Sequence, residues 1–170
     1  SSITRKSIKK YFANFTIGSA GVALVIEKNS QKCLATIDNI ISLSDTSAYK
    51  LCMGNSSGDG LVMETNSEEL MQKGIELAKE NWSFFKNQAF NYYICHQVGI
   101  HHQELLYKSL ELDLSKDYAS FERYGNTGSA ALPLTLALAV KNEIFNTNDK
   151  IALLGIGSGL HTTMMSIKWN

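Results

Sequence analysis

The sequence predicts a layered α/β domain in which a mixed five-stranded sheet packs against helices. Short apolar runs bounded by glycine or polar turns alternate with longer stretches that repeat at helical spacing, in the order β-β-α-β-α-α-β-β. Apolar residues make up 44% and charged residues 19% of the 170 residues, which is typical of a globular domain with a core. We expect one domain over residues 15–170, preceded by a lead-in segment of residues 1–14.

The charge balance argues against nucleic acid and membranes as partners. Sixteen basic and sixteen acidic residues cancel, so no global field attracts a polyanion. No run approaches the roughly eighteen apolar residues that a membrane-spanning helix needs. A basic cluster lies in the lead-in segment, at Arg5, Lys6, Lys9 and Lys10. It is typical of a solvated surface, and a docking patch for an acidic partner is the alternative.

The cysteines are odd in number, widely spaced and without a C-x-x-C pair, at Cys33, Cys52 and Cys95. This pattern argues against a disulfide framework and a zinc cluster, and it favours reduced thiols in a cytoplasmic protein. The chain begins with Ser1 instead of Met, and we expect it to be part of a longer protein.

The first third of the chain predicts two paired strands and a loop. Gly18–Gly21 opens the β-branched run Val22–Glu27, which predicts a buried strand. A turn at residues 28–31 leads to an alternating strand over Cys33–Leu43, which we expect to pair with the first. Ser44–Val62 is rich in Ser, Asp, Asn and Gly, and predicts a mobile surface excursion.

The next segment predicts an amphipathic helix of about five turns. Thr65-x-x-Glu68 matches a capping box. Apolar residues then recur at spacings of four and three, at Met71, Ile75, Ala78, Trp82 and Phe85. Gly74 lowers the local helix propensity and indicates close packing on a neighbouring element.

The second half predicts the remaining strands and helices. Tyr92–Ile94 reads as a buried strand and is followed by a helix that ends near Leu112. The run Ala130–Val140 is apolar nearly all round, which predicts a helix buried between layers. Ile151–Leu154 predicts a buried strand, and a glycine turn then leads to a closing strand over His161–Trp169.

Three features converge on the edge of the predicted sheet where open α/β folds place their chemistry. His96 follows a strand, and Asn126 lies in a glycine-bounded loop before the apolar helix. The turn at Gly157, Ser158 and Gly159 can offer backbone N–H groups to an oxyanion. A lone strand-end histidine is more often structural than catalytic, but this convergence favours a site.

Other types of site fit the sequence less well. Cys95 is expected to point away from His96 into the core, because successive strand residues face opposite sides. His101, His102 and Glu104 do not form an H-E-x-x-H motif, so we expect no metal site. The spaced glycines near residue 157 have the wrong spacing for a dinucleotide loop.

Together these motifs resemble the C-terminal half of the thiolase-fold condensing enzymes, in particular the β-ketoacyl-acyl-carrier-protein synthase III family. The resemblance covers the chain from about Phe15 and rests on four motifs. They are Gly18–Ala23, His96-Gln97, Tyr124-Gly125-Asn126-Thr127 with Pro133, and Gly155-x-Gly157-x-Gly159 before a strand that ends at Trp169. Thr16-Ile17 and Gly99 depart from the family pattern. The runs Thr16-Ile17-Gly18-Ser19 and His96-Gln97-Val98 look closer to the branch that joins two acyl chains head to head.

The resemblance implies a role for each site residue. His96 and Asn126 would donate hydrogen bonds to a thioester oxygen, and the turn at residues 157–159 would offer the Ser158 N–H to an oxyanion. Gln97 and Gly125 would contribute to substrate binding. The substrate would be an acyl thioester of coenzyme A or of acyl carrier protein, with no further cofactor.

The resemblance also implies a missing part. The family's nucleophilic cysteine lies in its N-terminal half, and none of the three cysteines here matches it. We therefore expect the chain to need that half, to be inactive alone and to form a homodimer. A binding or assembly domain of the same fold without a nucleophile is the alternative, and the sequence upstream of Ser1 would separate the two.

Overall fold

A computed structural model of the chain describes residues 15–28, 32–57 and 60–170. The predicted lead-in and its basic cluster lie outside these residues. In the described part the strands are β1 (Ala35–Ser44), β2 (Cys52–Ser57), β3 (Gly60–Thr65), β4 (Tyr92–Cys95), β5 (Lys150–Gly157) and β6 (His161–Trp169). The α-helices there are α1 (Ser67–Trp82), α2 (Ile100–Leu110), α3 (Phe121–Tyr124) and α4 (Ala131–Lys141).

The main sheet is mixed, as predicted, with the strand order β1-β6-β5-β4. β6 pairs antiparallel with both β1 and β5, and β4 pairs parallel with β5. The sheet has four strands instead of five among the described residues. A single parallel bridge between Tyr93 and Asp117 continues it beyond β4, because the chain between α2 and α3 runs along that edge.

The strand predicted over Val22–Glu27 is wrong. These residues form no ladder, and Leu24, Val25 and Ile26 are 61%, 87% and 75% exposed. A β-branched run favours extended backbone, but a strand also needs a neighbour to accept its N–H groups and donate to its carbonyls. No described strand lies beside this run, and β1, its predicted partner, pairs with β6.

The loop predicted over Ser44–Val62 is also wrong. It contains a 3-10 turn at Thr46–Leu51 and the antiparallel pair of β2 and β3. The composition of this segment does not predict strands, because residues such as Gly and Asn have low strand propensity. The strands form nevertheless, because each supplies hydrogen-bonding partners to the backbone of the other. Residues 58 and 59, between the strands, lie outside the described part.

The N-cap of helix α1 lies one residue later than the N-cap predicted from the sequence. Asn66 is the N-cap, and its side-chain oxygen accepts from the N–H of Glu69 at 3.4 Å. The Asn66 amide in turn donates to the Glu69 carboxylate at 2.8 Å. Asn66 and Glu69 thus take the place of Thr65 and Glu68, but the bonding differs from a capping box, because the backbone N–H of Asn66 donates to the Leu51 carbonyl at 2.9 Å instead of to Glu69.

Gly74 packs closely on the main sheet, as its position in the helix predicted. A Cβ at Gly74 would lie 2.9 Å from Cδ1 of Ile156. The face of the sheet that carries Tyr93 and Cys95 packs against α1 and α2, around an aromatic cluster with Trp82 at its centre. No helix among the described residues is both long and apolar enough to cross a membrane.

Helix α4 covers the opposite face of the sheet but is itself fully buried at three positions only. Ala131, Thr135 and Ala139 are buried against the described residues, whereas Ala137 is exposed. The prediction of a helix buried all round is therefore wrong for the described part of the chain. A helix that is apolar all round normally has neighbours on every side.

We expect Asn81 to stabilise the fold through its hydrogen bonds to the backbones of β1 and β6. Its side chain is 0% exposed, and Nδ2 donates to the carbonyl oxygens of Ile41 at 3.1 Å and Thr162 at 3.3 Å. Asn81→Ala should lower the free energy of unfolding by about 2 to 4 kcal/mol, measured by urea denaturation. The exposed neighbour on the same helix serves as control, and Glu80→Ala should change it by less than about 0.5 kcal/mol. Equal effects of the two variants would contradict this role.

Candidate functional site

His96 directly follows β4 and continues its pairing with β5. Its backbone N–H donates to the carbonyl oxygen of Leu154 at 2.9 Å. The imidazole lines a small cavity of about 10 Å³ that His102 of α2 also lines. Gly155 and Ile156 of β5 line the same cavity. The structure thus brings the strand-end histidine together with the beginning of the glycine segment.

Burial keeps both histidines of this cavity neutral near pH 7. It lowers the pKa of His96 below its ordinary value. It lowers the pKa of His102 to about 4, and the charges of His96 and His101 add to the effect. A neutral imidazole can donate one N–H hydrogen bond without carrying a charge. This is the protonation state that the resemblance requires of His96.

Sequence analysis did not select His102 as a site residue. Its position carried a usable signal, because His102, Leu106 and Leu110 are spaced by four residues and share one face of α2. Leu106 and Leu110 are buried in the core, so the residue one turn before them points to the same side. The spacing therefore predicts a histidine that faces inward.

Asn126 lies in the loop between α3 and a 3-10 turn at Gly128–Ala130. Its backbone forms a short parallel bridge with Ile17. The Asn126 N–H donates to the Thr16 carbonyl at 2.8 Å, and its carbonyl accepts from Gly18 N–H at 2.8 Å. The side-chain oxygen accepts from the Gly128 N–H at 3.0 Å. With the oxygen held in this way, the amide N–H groups of Asn126 are left to serve as donors.

Gly125 and Gly18 allow the close approach that holds this loop. Gly125 has φ +66°, a left-handed conformation that favours glycine, and a Cβ there would lie 2.6 Å from the Thr16 carbonyl oxygen. A Cβ at Gly18 would lie 2.0 Å from the Tyr124 carbonyl oxygen. These contacts explain Gly125 as a backbone requirement of the loop. Its role in substrate binding stays a prediction.

Gln97 is buried, with 3% of its surface exposed. Its Nε2 donates to the carbonyl oxygen of Cys95 at 2.5 Å. Its Oε1 accepts from the backbone N–H groups of Ser120 at 2.8 Å and Phe121 at 3.1 Å. Substrate binding by Gln97 stays a prediction, and these contacts to protein backbone do not favour it.

The predicted glycine turn is shorter than expected, because β5 continues through Gly157. The turn proper comprises residues 158–160, with Ser158 exposed and Gly159 at φ +123°. Leu160 and Asp45 exchange two backbone hydrogen bonds of 2.8 and 2.9 Å, which anchor the turn to the end of β1. The Ser158 N–H as an oxyanion donor stays a prediction.

Cys95 belongs to the core, as its strand position predicted. It is 2% exposed, and its Sγ lies 3.7 Å from the Tyr107 hydroxyl. Burial raises the pKa of the Cys95 thiol far above its ordinary range, so the thiol stays protonated. Tyr107 and Gln103 both donate hydrogen bonds to the Asp117 carboxylate beside it. A protonated, enclosed thiol is a poor nucleophile.

Comparison with solved structures identifies the architecture. A variant of OleA from Xanthomonas campestris, bound to lauric acid and lauroyl-CoA, superposes with a TM-score of 0.81 at 26% identity. That match covers 98% of this chain and 50% of the other. FabH, the 3-oxoacyl-(acyl carrier protein) synthase III from Xanthomonas oryzae, matches 79% of this chain and 40% of its own at 31% identity, with a TM-score of 0.70. The chain has the thiolase-like fold of these condensing enzymes.

The sequence comparisons place the chain within this class. The family model of the 3-oxoacyl-[acyl-carrier-protein] synthase III C-terminal domain matches residues 82–169, more than half of the chain, and the chain belongs to this family. An acyl-CoA:acyl-CoA alkyltransferase from Shewanella oneidensis is 29% identical over 98% of this chain and 52% of its own length. A β-ketoacyl-[acyl-carrier-protein] synthase III from Clostridium tetani is 29% identical over 98% of this chain and 50% of its own. The chain thus spans about half the length of these relatives.

We expect Gly18 to be required for the loop that holds Asn126. A methyl group at Gly18 overlaps the Tyr124 carbonyl, and only movement of backbone can relieve a contact of 2.0 Å. Gly18→Ala should lower the free energy of unfolding by about 1 to 3 kcal/mol in urea denaturation. The matched control is Gly21→Ala, because nothing lies within 4 Å of a Cβ at Gly21. A loss of the same size in the control would show that the overlap is not the cause.

We expect His102 to make the protein less stable below pH 6.5. Its folded-state pKa of about 4 lies below the ordinary 6.5. As the pH falls between these values, the unfolded chain takes up the proton first, and unfolding is favoured. His102→Gln should reduce the decline in unfolding free energy between pH 7 and pH 4 by on the order of 1 to 3 kcal/mol. His101→Gln, at an exposed position of the same turn, is the control; identical pH dependence in His102→Gln and the unchanged chain would refute the assignment.

Proposed function

We propose that this chain is the C-terminal catalytic half of a β-ketoacyl-acyl-carrier-protein synthase III-like acyltransferase, which joins acyl thioesters by Claisen condensation in fatty-acid or related lipid biosynthesis. One observation carries the proposal. A histidine kept neutral by burial follows β4, beside the glycine end of β5, in a chain that belongs to this family. Neutral N–H donors at such a position suit an oxygen that gains negative charge during the reaction.

His96 and Asn126 are the proposed donors. Forming the carbon nucleophile of a condensation, by decarboxylation or by loss of an α-proton, moves negative charge onto the thioester oxygen. An imidazole N–H and a carboxamide N–H can both donate to that oxygen and lower the energy of the charged state. The backbone N–H of Ser158 is the proposed donor to the second oxyanion, which forms when the nucleophile attacks the acyl group bound to the enzyme.

The proposed substrates are acyl thioesters of coenzyme A, with acyl carrier protein as the second possible carrier. The matched relatives support this class, because one is an acyl-CoA:acyl-CoA alkyltransferase and another was solved with lauroyl-CoA. The Thr16-Ile17-Gly18-Ser19 variant and the run His96-Gln97-Val98 support head-to-head joining of two acyl chains. The reaction as written needs no further cofactor.

We also propose that the nucleophilic cysteine lies on the remaining half of the enzyme. The chain covers about half of its relatives, and the thiol of Cys95 is enclosed and protonated. The exposed run Leu24–Ile26 and the half-buried apolar residues of α4 are surfaces that a second half can cover. The complete enzyme is proposed to be a homodimer in the cytoplasm, and the chain alone to be inactive.

Pairing the chain with a polypeptide that supplies the cysteine-bearing half tests the function. His96→Ala and Asn126→Ala should each lower condensation of acyl-CoA by a factor on the order of 100 to 1000, because each removes an oxyanion donor. Acylation of the cysteine should survive better in both variants. His101→Ala, at an exposed position near the same cavity, is the control. Unchanged condensation in both site variants would defeat the assignment.

Labelling the chain alone with radioactive acyl-CoA separates the enzyme half from a self-sufficient enzyme. No stable thioester should form on Cys33, Cys52 or Cys95. A labelled cysteine that turns over would refute the proposed division of the site between two halves. A paired complex that binds acyl-CoA but never acylates would favour the binding-domain alternative.

A further inference from the structure

The amide of Gln97 joins two elements that are distant in sequence. One end bonds to the Cys95 carbonyl at the end of β4, and the other accepts two N–H groups at the start of α3. His96 lies between Cys95 and Gln97 in the chain, and Asn126 follows α3 after Gly125. The amide therefore links the strand end that carries His96 to the segment that carries Asn126.

Gln97 takes the place of a local cap for helix α3. The first N–H groups of a helix have no partner inside the helix and need an acceptor. Ser120, the N-cap residue of α3, makes no side-chain cap bond, and its N–H and that of Phe121 donate to Gln97 Oε1 instead. The position of one side-chain oxygen, two residues after the end of β4, therefore helps to determine where α3 begins.

The hydroxyl of Ser120 extends the link to α4. Ser120 Oγ lies 2.6 Å from Thr135 Oγ1, and Thr135 Oγ1 donates to the Ala131 carbonyl at 2.8 Å. Ser120 and Thr135 are 9% and 0% exposed. Buried hydrogen bonds of this kind resist displacement, because breaking one leaves an unpaired polar group away from water. The start of α3 is held from both sides, by β4 and by α4.

We infer that Gln97 is a positioning residue, which sets the place of the Asn126 loop relative to His96. The catalytic part of this inference rests on the proposed function. The spacing of His96 and Asn126 affects the reaction only if both residues donate to the same thioester oxygen. Helix α3 is a single turn, and Asn126 lies just beyond it. A displacement of the helix start is therefore transmitted directly to the carboxamide.

Three substitutions in the 170-residue chain test the link, with the side-chain NMR signals of Asn126 and His96 as the readout. Gln97→Met keeps the shape of the side chain but removes all three hydrogen bonds, and it should shift both sets of signals. Gln103→Met is the matched control, because the Gln103 amide bonds to Asp117 and not to the start of α3. It should leave the Asn126 signals in place.

Gln97→Glu gives a reversible version of the same test. A protonated carboxyl can donate to the Cys95 carbonyl and accept from Ser120 and Phe121, as the amide does, whereas a carboxylate cannot donate. The Asn126 signals should therefore move away from their original positions as the carboxyl ionises and return when it is protonated. His96 and His102 also titrate on the acid side in the unchanged chain, so its Asn126 signals give the background, and Gln97→Glu should add a separate step to it. A residue that only filled space would not produce this pH dependence.

The outcomes separate the inference from the proposed function. A folded Gln97→Met chain with unmoved Asn126 and His96 signals would overturn the inference, as would equal shifts in Gln103→Met. If Gln97→Met does not fold, the Gln97→Glu variant tests the link. Asn126 signals that do not change as the new carboxyl titrates would count against the link, and so would a Gln97→Glu chain that is unfolded even at acidic pH.

In the paired enzyme, Gln97→Met should lower kcat for condensation about 10- to 100-fold, with KM nearly unchanged. Unchanged kcat beside inactive His96→Ala and Asn126→Ala would overturn the positioning role alone. Full activity of those two variants would instead overturn the proposed function. The NMR shifts in Gln97→Met would then still support the structural link through Gln97.

Discussion

The parallel pairing of β4 with β5 is the constraint on which the candidate site depends. The pairing extends one residue past β4, where the His96 N–H bonds to the Leu154 carbonyl. Because parallel strands end at the same edge of a sheet, this bond places the histidine next to Gly155 and the glycine segment. β6 then supports β5 from its other side, through an antiparallel pairing that runs to the turn. The position of the His96 backbone thus follows from strand pairing.

The remaining site elements are held against this edge by hydrogen bonds between distant segments. The Asn126 loop is fixed on one side by the backbone of residues 16–18 and on the other by α3, whose start bonds to Gln97. The turn after β5 is fixed to Asp45 at the end of β1. None of these segments has a local fold of its own. Their conformation comes from these bonds to distant segments, and glycine is needed at positions 18 and 125 because two backbones approach closely there.

Sequence analysis predicted elements whose pattern is local and missed those that depend on a neighbour. β4, β5 and α1 carry continuous apolar runs or helical periodicity, and the structure has them near the predicted positions. Val22–Glu27 has strand propensity but no partner strand in the part of the chain that the structure describes, whereas β2 has a partner strand and low strand propensity. Propensity describes what a segment tolerates, whereas pairing decides whether a ladder forms. The same distinction explains α4, whose apolar residues indicate more burial than the described neighbours supply.

The candidate site shows the same division between local and distant information. The strand end at His96 and the glycine before Asn126 are local features, and both were visible in the sequence. The residue Gln97 was also selected, but its structural role was not predicted, because its three bonding partners are the Cys95 carbonyl and the N–H groups of Ser120 and Phe121, and the latter two are distant from it in sequence. The structure also explains why this position holds glutamine: one end must donate to a carbonyl and the other must accept from two N–H groups, without a net charge. A carboxylate lacks the donor, and an aliphatic side chain leaves two buried N–H groups unpaired. A neutral planar amide meets both demands, so the residue next to the histidine serves the protein backbone while the histidine faces the cavity.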